Sequence, residues 1–375
     1  MKKIPQAGRD LQSRPDRFRR SGGRAEILRT GLQIPSGLSE NQPFYLIYRG
    51  GIMKKIVLIC MAVVFSLYGM STHAEQSSGK PVRMAYLQND IHHLAFWVAL
   101  DKDFFDRQGV AVEVSGIFRA GPEIMTAFAG NALDMAYVGE APVTTAFANN
   151  MAKVVIVAQV NTEGSALSVS KKDSEIKNLS DLKGKTVAVP GHSTVQDFLL
   201  RKGLRQQRTD LKDVNIIVVK PPDMISALRT GQIDAFIAWE PYPSKAITMD
   251  VGRNLATSHD IWEGHPCCVL VSGSEFFKTN PDKTKAVVRA HIQATDFIQK
   301  HPDEAVRIGV KYTGMDEKTI REAMKTVHYT YHLNIEGEKE YVKFLSELKY
   351  IQADDPQRFT DLLINQELLK DALNK

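Results

Sequence analysis

Apolar and polar positions follow a repeating order along the chain from Lys80 onward. Short apolar or alternating runs, which are typical of strands, occur at residues 82–87, 110–114, 135–138 and 154–160. Stretches with helical spacing of apolar residues lie between them, at residues 94–105 and 121–131 and from Pro142 onward. This alternation predicts a mostly parallel sheet with helices on both faces.

A second round of the same order follows after residue 185. Strands are predicted at residues 186–189, 215–219 and 235–238, with helices that end near Arg205 and Thr230. The two rounds correspond at a constant offset of 100 residues, and the matching positions are Pro122 and Pro222, Leu133-Asp134 and Ile233-Asp234, and Glu140 and Glu240. We interpret this register as two similarly built lobes, although two strand–helix units could also match by chance.

The C-terminal part of the chain has a mainly helical pattern. A strand at residues 267–271 precedes candidate helices at residues 280–300, 302–312, 316–327, 338–348 and 359–374. We expect lobe one to comprise residues 80–161 and 268–375, and lobe two to comprise residues 162–267. The crossovers near Asn161 and Cys267 would then form a hinge, which is a common device for closing two lobes around a ligand.

Residues 53–74 have the three-part pattern of a secretory signal peptide. A basic start at residues 53–55 precedes an uncharged apolar run at residues 56–67, and the small residues Thr72 and Ala74 mark a cleavage site before Glu75. The apolar run is shorter than the roughly 20 residues that span a bilayer, so a membrane anchor is the weaker alternative. We therefore expect an exported, periplasmic protein that does not itself span the membrane.

Residues 1–52 precede the signal-peptide pattern and are rich in Arg, Ser, Gly and Pro. We interpret them as the product of a mis-set start, or alternatively as a disordered extension. They carry a net charge of +6 and residues 53–74 carry +2, which leaves −3 of the total of +5 for residues 75–375. Since this body is mildly acidic, the charge gives no support to nucleic-acid binding.

Polar and small residues cluster directly after the predicted strands. Ligands of open α/β sheets bind outside the carboxyl ends of the strands, so these loops are the candidate ligand-binding site. The candidate residues of the first round are Gln88, Asn89, His92, His93, Gly121, Gly139, Glu140 and Ala141. The candidate residues of the second round are His192, Ser193, Thr194, Trp239 and Glu240.

The residue types at this candidate site favour two different ligand chemistries. Predicted helix starts at Gly121 and at Ser193-Thr194 would offer free backbone N–H groups to an anion. Glu140 and Glu240 disfavour a bare anion and suit a ligand that carries an amine or N–H groups. Each glutamate could instead cap a helix or interact with its dipole.

Histidines and cysteines raise the question of a metal. His92, His93 and His192 could gather an ion, but adjacent histidines cannot easily share one, so we expect no metal and no cofactor. The pair His92-His93 could also lie in a solvated loop or cap a helix. After the signal peptide only Cys267 and Cys268 remain, and they cannot join distant segments. They are either buried thiols on a strand or a strained vicinal disulfide.

From about Pro81 to Lys375 the chain resembles the SsuA/TauA/NMT1-like family of ABC solute-binding proteins. The motifs that carry the resemblance lie at residues 104–110, 121–123, 130–134, 139–142, 178–185 and 239–242. The resemblance implies a type II periplasmic-binding-protein fold with a small-molecule ligand between the lobes. It implies contacts from Gly121, residues 139–142, Ser193-Thr194 and the Trp239-Glu240 turn. It also implies a monomeric importer component that delivers a sulfonate, taurine, nitrate or related solute to an ABC permease and its ATPase.

Two other functions compete with this expectation. The segment His265-Pro266-Cys267-Cys268 resembles the His- and Cys-containing segment of the pyrimidine-forming members of the family. A binder of a pyrimidine or thiamine precursor, or a pyrimidine synthesis protein, is therefore one alternative, and a stand-alone sensor lobe is another. The sequence holds no GxSxG, HExxH, Walker A or CxxC motif. We therefore assign no catalytic residue and expect no enzymatic activity.

Overall fold

The computed structural model of the chain describes residues 79–374. The predicted signal peptide and the residues before it lie outside this range. Within the described part, none of the helices combines the length and the apolar character that crossing a membrane requires.

The first round of elements follows the predicted order of strands and helices. It consists of β1 (Val82–Leu87), a 3₁₀ turn (Ile91–His93), α1 (Leu94–Asp101), α2 (Phe104–Arg107), β2 (Val112–Phe118), α3 (Gly121–Ala129), β3 (Met135–Gly139), α4 (Glu140–Ala148) and β4 (Val154–Glu163). The helix predicted at residues 94–105 is two helices, because Asp103 adopts a left-handed φ of 56° between them.

The second round begins with a strand that the sequence pattern did not reveal. Its elements are β5 (Ser165–Ser170), 3₁₀ turns at Leu179–Leu182 and Leu211–Asp213, β6 (Thr186–Val189), α5 (Val195–Gln206), β7 (Asn215–Val218), α6 (Pro221–Thr230), β8 (Ala235–Trp239), α7 (Tyr242–Thr248), β9 (Gly252–Thr257) and α8 (Ser258–Ile261). Strands β5 and β9 were both missed, because their serine, asparagine and threonine residues interrupt the apolar pattern.

The C-terminal elements contain one long strand and a series of helices. They are β10 (Pro266–Gly273), α9 (Ser274–Thr279), α10 (Pro281–Lys300), α11 (Pro302–Thr313), α12 (Glu317–Met324), β11 (Val327–Tyr329), α13 (Ile335–Glu347), α14 (Pro356–Leu363) and α15 (Gln366–Leu373). The prediction of one helix at residues 359–374 was wrong, because Ile364 forms a β-bridge with Ile156 between α14 and α15. The predicted helix at residues 316–327 ends at Met324, since Val327 begins β11 against β4.

The strands form two sheets, and the five-strand order of sheet 2 corresponds to the order β2-β1-β3-β10-β4 in sheet 1, which has β11 as an additional edge strand. Sheet 1 has the order β11-β4-β10-β3-β1-β2, and sheet 2 has the order β7-β6-β8-β5-β9. In sheet 1 the β1–β2 and β1–β3 pairs are parallel, whereas β10 runs antiparallel to β3 and β4. In sheet 2 β6 is parallel to β7 and β8, and β5 is antiparallel to β8 and β9. Each sheet is therefore mixed rather than mostly parallel.

The chain enters and leaves sheet 2 through short connections. Gly164 alone separates β4 of sheet 1 from β5 of sheet 2, and residues 258–265 connect β9 back to β10. The assignment of residues 80–161 and 268–375 to one lobe, and of residues 162–267 to the other, stays a prediction. The strands β3 and β8 are buried along their whole length, as are most of the helix residues that face them.

Candidate functional site

A small cavity lies where the carboxyl ends of strands from both sheets meet. Its lining includes residues of sheet 1 and its loops, which are Leu87, Asp90, Gly121, Gly139, Pro142, Cys267 and Cys268. The opposite wall comes from the second round of elements and consists of Thr194, Val195, Gln196 and Trp239. The enclosed space is about 10 Å³, which is room for about one water molecule. The two sheets therefore stand close together around this point.

The polar loop after β1 is completely buried rather than solvated. Asp90, His92 and His93 have no exposed surface. The Asp90 carboxylate accepts a hydrogen bond from the backbone N–H of His92 at 3.0 Å, and His93 Nδ1 accepts from the backbone N–H of Leu87 at 3.2 Å. Burial raises the pKa of Asp90 to about 7, in spite of the opposing effect of the nearby His92. The loop is thus a folded part of the site.

His92 lies against both cysteines of β10. Its Nδ1 atom is 3.5 Å from Cys267 Sγ and 3.6 Å from Cys268 Sγ. Burial alone would lower the pKa of His92, but the charges of Asp90 and Cys267 raise it to about 9. Burial likewise opposes ionisation of Cys267, yet its hydrogen bond with Cys268 and the charge of His92 lower its pKa well below the usual range. Both cysteines are free and buried, as one of the two sequence interpretations expected.

Glu140 belongs to a buried carboxyl pair beside this cluster. Its Oε2 accepts a hydrogen bond from Gln159 Nε2 at 3.0 Å, and the same amide nitrogen donates to the carbonyl of Cys268. Glu338 on α13 accepts from Thr144 Oγ1 at 2.9 Å, and its carboxyl lies beside that of Glu140. Burial raises the pKa of both glutamates, and the proximity of the two carboxyls raises that of Glu338 further. Simultaneous ionisation of the two carboxyls is therefore disfavoured.

The loop after β6 uses its polar groups to start α5. Thr194 Oγ1 donates to the carbonyl of Gly191 at 2.7 Å and accepts from the backbone N–H of Asp197. Asp197 in turn accepts from the backbone N–H of Ser193 at 3.0 Å. Of the first N–H groups of this helix, that of Asp197 is capped by the Thr194 hydroxyl, while Thr194, Val195 and Gln196 line the cavity.

Glu240 forms a hydrogen bond with the first turn of α7, the helix that follows it. Its Oε2 accepts a hydrogen bond from the backbone N–H of Ser244 at 3.1 Å, in the first turn of α7. This is the capping role that the sequence analysis weighed against a ligand contact. Burial raises the pKa of Glu240 to about 7. Trp239, just before it, presents its ring to the cavity, and its Nε1 has no hydrogen-bond partner among the described residues.

The structure brings some of the predicted site residues to the cavity and places others elsewhere. Gly121, Gly139, Thr194 and Trp239 line it. His92 and His93 are buried and do not line the cavity, although Asp90 of the same loop does. Glu140 and Ala141 are buried at the start of α4. Gln88, Asn89 and Ser193 are partly exposed, and His192 is exposed. His192 therefore does not join His92 and His93.

Sequence reasoning missed three buried polar residues of this region, namely Gln159, Gln196 and Glu338. Gln159 is the single polar residue within the apolar run at residues 154–160, which was a usable signal. Gln196 Nε2 donates to Ser165 Oγ, which no local pattern indicates. Glu338 lies on a helix with other acidic residues, and only the folded chain brings it to Glu140.

Two mixed α/β sheets that meet at their strand ends define a protein of the periplasmic-binding-protein class. Residues 72–310 match the model of the NMT1-like family, and the chain belongs to that family. The predicted family and fold class are thereby confirmed.

Individual known proteins resemble the chain at lower identity. The nitrate import ATP-binding protein NrtC of Synechocystis is 28% identical over 233 residues, which are 58% of this chain and 34% of that protein. The chain thus spans about a third of this relative. The periplasmic nitrate-binding protein NrtA from Synechocystis superposes with a TM-score of 0.70 at 16% identity, covering 79% of this chain and 88% of that one. The periplasmic aliphatic sulphonate binding protein SsuA from Escherichia coli gives 0.64 at 20% identity, covering 78% and 100%.

Proposed function

We propose that the protein is the periplasmic solute-binding subunit of an ABC importer, which closes two lobes around a small molecule and delivers it to the permease and its ATPase. The observation that carries this proposal is the cavity at the strand ends, because both sheets contribute residues to its lining. Relatives and structural neighbours that bind nitrate or sulphonate support it. We infer that the subunit acts as a monomer and releases its ligand unchanged.

The lining of the cavity favours a solute with amine or N–H groups over a bare anion. Within residues 79–374, the lining contains the carboxyl group of Asp90 and two thiols, and it contains neither lysine nor arginine. Trp239 supplies an apolar wall, and Gln196 and Thr194 supply polar contacts from the other side. A bare anion would meet no fixed positive side chain in this lining.

The cavity as described is smaller than any of these solutes. A space of about 10 Å³ holds about one water molecule, so a solute needs the two walls to move apart. A solute that contacts both walls then favours the closed form through its higher affinity for that form. Movement between two lobes is the expected device in a protein of this shape.

A thermal-shift screen of the purified protein tests the proposal. The panel contains taurine and other small amines, pyrimidine precursors, simple alkanesulfonates and nitrate, with a chelator present so that no metal ion causes a shift. A solute at 100 times its dissociation constant stabilises the folded state by about 2.7 kcal/mol. We expect shifts with the amine or N–H compounds. Shifts with nitrate or simple alkanesulfonates alone would contradict the proposed ligand class, and no shift at all would count against binding of these solutes.

A further inference from the structure

Cys267 and Cys268 point to the same place although they are adjacent on a strand. Successive side chains of a regular strand lie on opposite faces. The pairing of β10 with β4 is irregular on both sides of Cys268, and this bulge changes the direction of the side chains. The two Sγ atoms are therefore 4.0 Å apart, and both lie near His92 Nδ1.

The orientation of His92 leaves its Nδ1 free to bind a metal. Its Nε2 lies 2.8 Å from the carbonyl oxygen of Gly164, and a carbonyl can only accept, so Nε2 carries the proton. Once Nδ1 has lost its proton, its lone pair is available to an ion near the two sulfur atoms, which lie 3.5 and 3.6 Å away. A histidine whose second nitrogen donates to a backbone carbonyl is the usual arrangement of a metal-binding imidazole.

The distances among the three atoms match those around a tetrahedral ion. With bonds of about 2.3 Å to sulfur and about 2.0 Å to nitrogen, zinc requires S···S separations of about 3.8 Å and N···S separations of about 3.5 Å. The observed separations are 4.0 Å between the sulfur atoms, and 3.5 and 3.6 Å from His92 Nδ1 to them. The donors therefore need little movement to hold one ion.

Asp90 lies beside this set of three donors, and its Oδ2 is 3.7 Å from His93 Nε2. Its Oδ1 is 3.4 Å from His92 Nδ1, and its Oδ2 has no hydrogen-bond partner among the described residues. Asp90 is fully buried, and it lines the small cavity together with Cys267 and Cys268. An unpartnered buried carboxylate oxygen is costly, and coordination of a cation would remove that cost.

We propose that His92, Cys267 and Cys268 form a binding site for a thiophilic transition-metal ion of the Zn²⁺ type, with the Asp90 carboxylate beside them. Thiolate and imidazole ligands favour such ions over Mg²⁺ or Ca²⁺, which prefer oxygen. On binding, the protons carried by the two sulfur atoms and by His92 Nδ1 leave to solvent, and the sulfur atoms coordinate as thiolates. The set shares Cys267 and Cys268 with the lining of the proposed solute cavity, but metal binding is measured without a solute, so its failure and the failure of the proposed function can be told apart.

Cobalt spectroscopy of the full chain tests the site directly. The protein is stripped of metal with a chelator, kept reduced with a phosphine and titrated with Co²⁺. We expect one equivalent to give a thiolate-to-cobalt charge-transfer band and the visible bands of a tetrahedral site, both removed by Zn²⁺. Cys267→Ser, Cys268→Ser and His92→Gln should each weaken Co²⁺ binding at least tenfold.

His265→Gln is the matched control, because this buried histidine lies beside the same cysteines but is not in the proposed ligand set. It should bind Co²⁺ with the affinity of the unmodified protein. Circular dichroism shows which variants are folded. A folded, reduced, unmodified protein without the cobalt bands would overturn the proposal, as would bands that persist in the folded cysteine variants or depend on His265 instead of His92.

Discussion

The two rounds of the fold are built alike but differ sharply at their strand ends. Helices α3 and α6 and strands β3 and β8 correspond at the 100-residue offset, and the five strands of sheet 2 have counterparts in the same order in the six-stranded sheet 1. At the end of β3, Glu140 joins a buried pair with Glu338. At the end of β8, Glu240 accepts a hydrogen bond from its own helix. Equivalent positions thus have different physical roles.

The same contrast holds for the loops after the corresponding strands β1 and β6. The loop after β1 brings Asp90 and two histidines to a buried cluster with two cysteines. The loop after β6 uses Thr194 and Ser193 to start a helix. We infer that the first round supplies the binding chemistry and the second round supplies a closing wall. The predictions that follow test this division.

The largest effect is expected at the glycine that supports His92. Gly164 has a φ of +83°, and a Cβ there would lie 2.4 Å from His92 Nε2 and 2.7 Å from Val327 Cγ2. In the second round Gly231 has a φ of +73° with nothing within 4 Å. Both Gly→Ala changes incur backbone strain of about 1–3 kcal/mol, and only Gly164→Ala adds a clash. In urea unfolding, Gly164→Ala should be less stable than Gly231→Ala by about 2 kcal/mol or more. Equal losses would contradict the close packing of His92.

The second prediction concerns the buried carboxyl pair of the first round. Because the folded-state pKa of Glu140 is raised from 4.5 to about 7, the folded protein holds its proton more tightly, and this stability is lost as the pH rises through that window. Burial and the Glu140 carboxyl raise the pKa of Glu338 well above 4.5, so Glu338 also loses stability over this window, and Glu338→Gln removes that contribution. Between about pH 5 and about pH 8, the free energy of unfolding should fall in both proteins. The decrease should be about 1–3 kcal/mol smaller for Glu338→Gln than for the unmodified protein. An unchanged pH dependence would show that the two carboxyls do not interact.

The third prediction concerns Glu240 of the second round. Glu240→Ala removes the acceptor of the Ser244 N–H, whereas Glu240→Gln retains an oxygen in the same place. We expect the alanine variant to be about 1 kcal/mol less stable than the glutamine variant in thermal or urea unfolding. Both should bind the solute with unmodified affinity. A large loss of affinity in either variant would assign Glu240 to ligand binding. It would contradict the inference that the second round supplies only a closing wall.

The smallest effect is expected for the ion pairs that connect the two rounds. Arg119 pairs with Asp223 and Lys220 pairs with Glu123, in a reciprocal arrangement at the starts of α3 and α6. These side chains are substantially exposed, so Arg119→Gln should cost less than about 1 kcal/mol. High salt should remove the difference, because it screens exposed charges. A larger, salt-independent loss in denaturant unfolding would show that this contact is a main determinant of closure.

The sequence was sufficient to predict most elements with a strong local pattern. The strands β3 and β8 are short apolar runs, and the Pro-Glu and Pro-Asp helix starts repeat at the 100-residue offset. Strand β5 could not be predicted, because Ser165–Ser170 has alternating small polar residues and becomes a strand by pairing between β8 and β9.

The candidate site was less predictable than the elements that carry it. The predicted loops do meet, since strand ends converge in such sheets. The burial of Asp90, His92 and His93 could not be read from a polar segment, because these groups are partnered by distant residues such as Gly164 and Cys267. The capping role of Glu240 depends on rotamers, which no sequence pattern specifies.

The cavity between the two sheets is the centre of the proposed function, and Gly139 gives the most direct test of it. A Cβ at Gly139 would lie 3.2 Å from Val195 Cγ2 on the opposite wall, so Gly139→Val should hold the walls apart. Gly130 has only helix carbonyls near its Cβ position, at 3.6 Å or more, and Gly130→Val is the matched control.

The measurement is calorimetric titration of the solute that gives the largest thermal shift, with circular dichroism to confirm folding. The unmodified protein and Gly130→Val should bind one solute with equal affinity, and Gly139→Val should bind at least tenfold more weakly, which corresponds to about 1.4 kcal/mol or more. Unchanged affinity in a folded Gly139→Val variant would contradict ligand binding in this cavity.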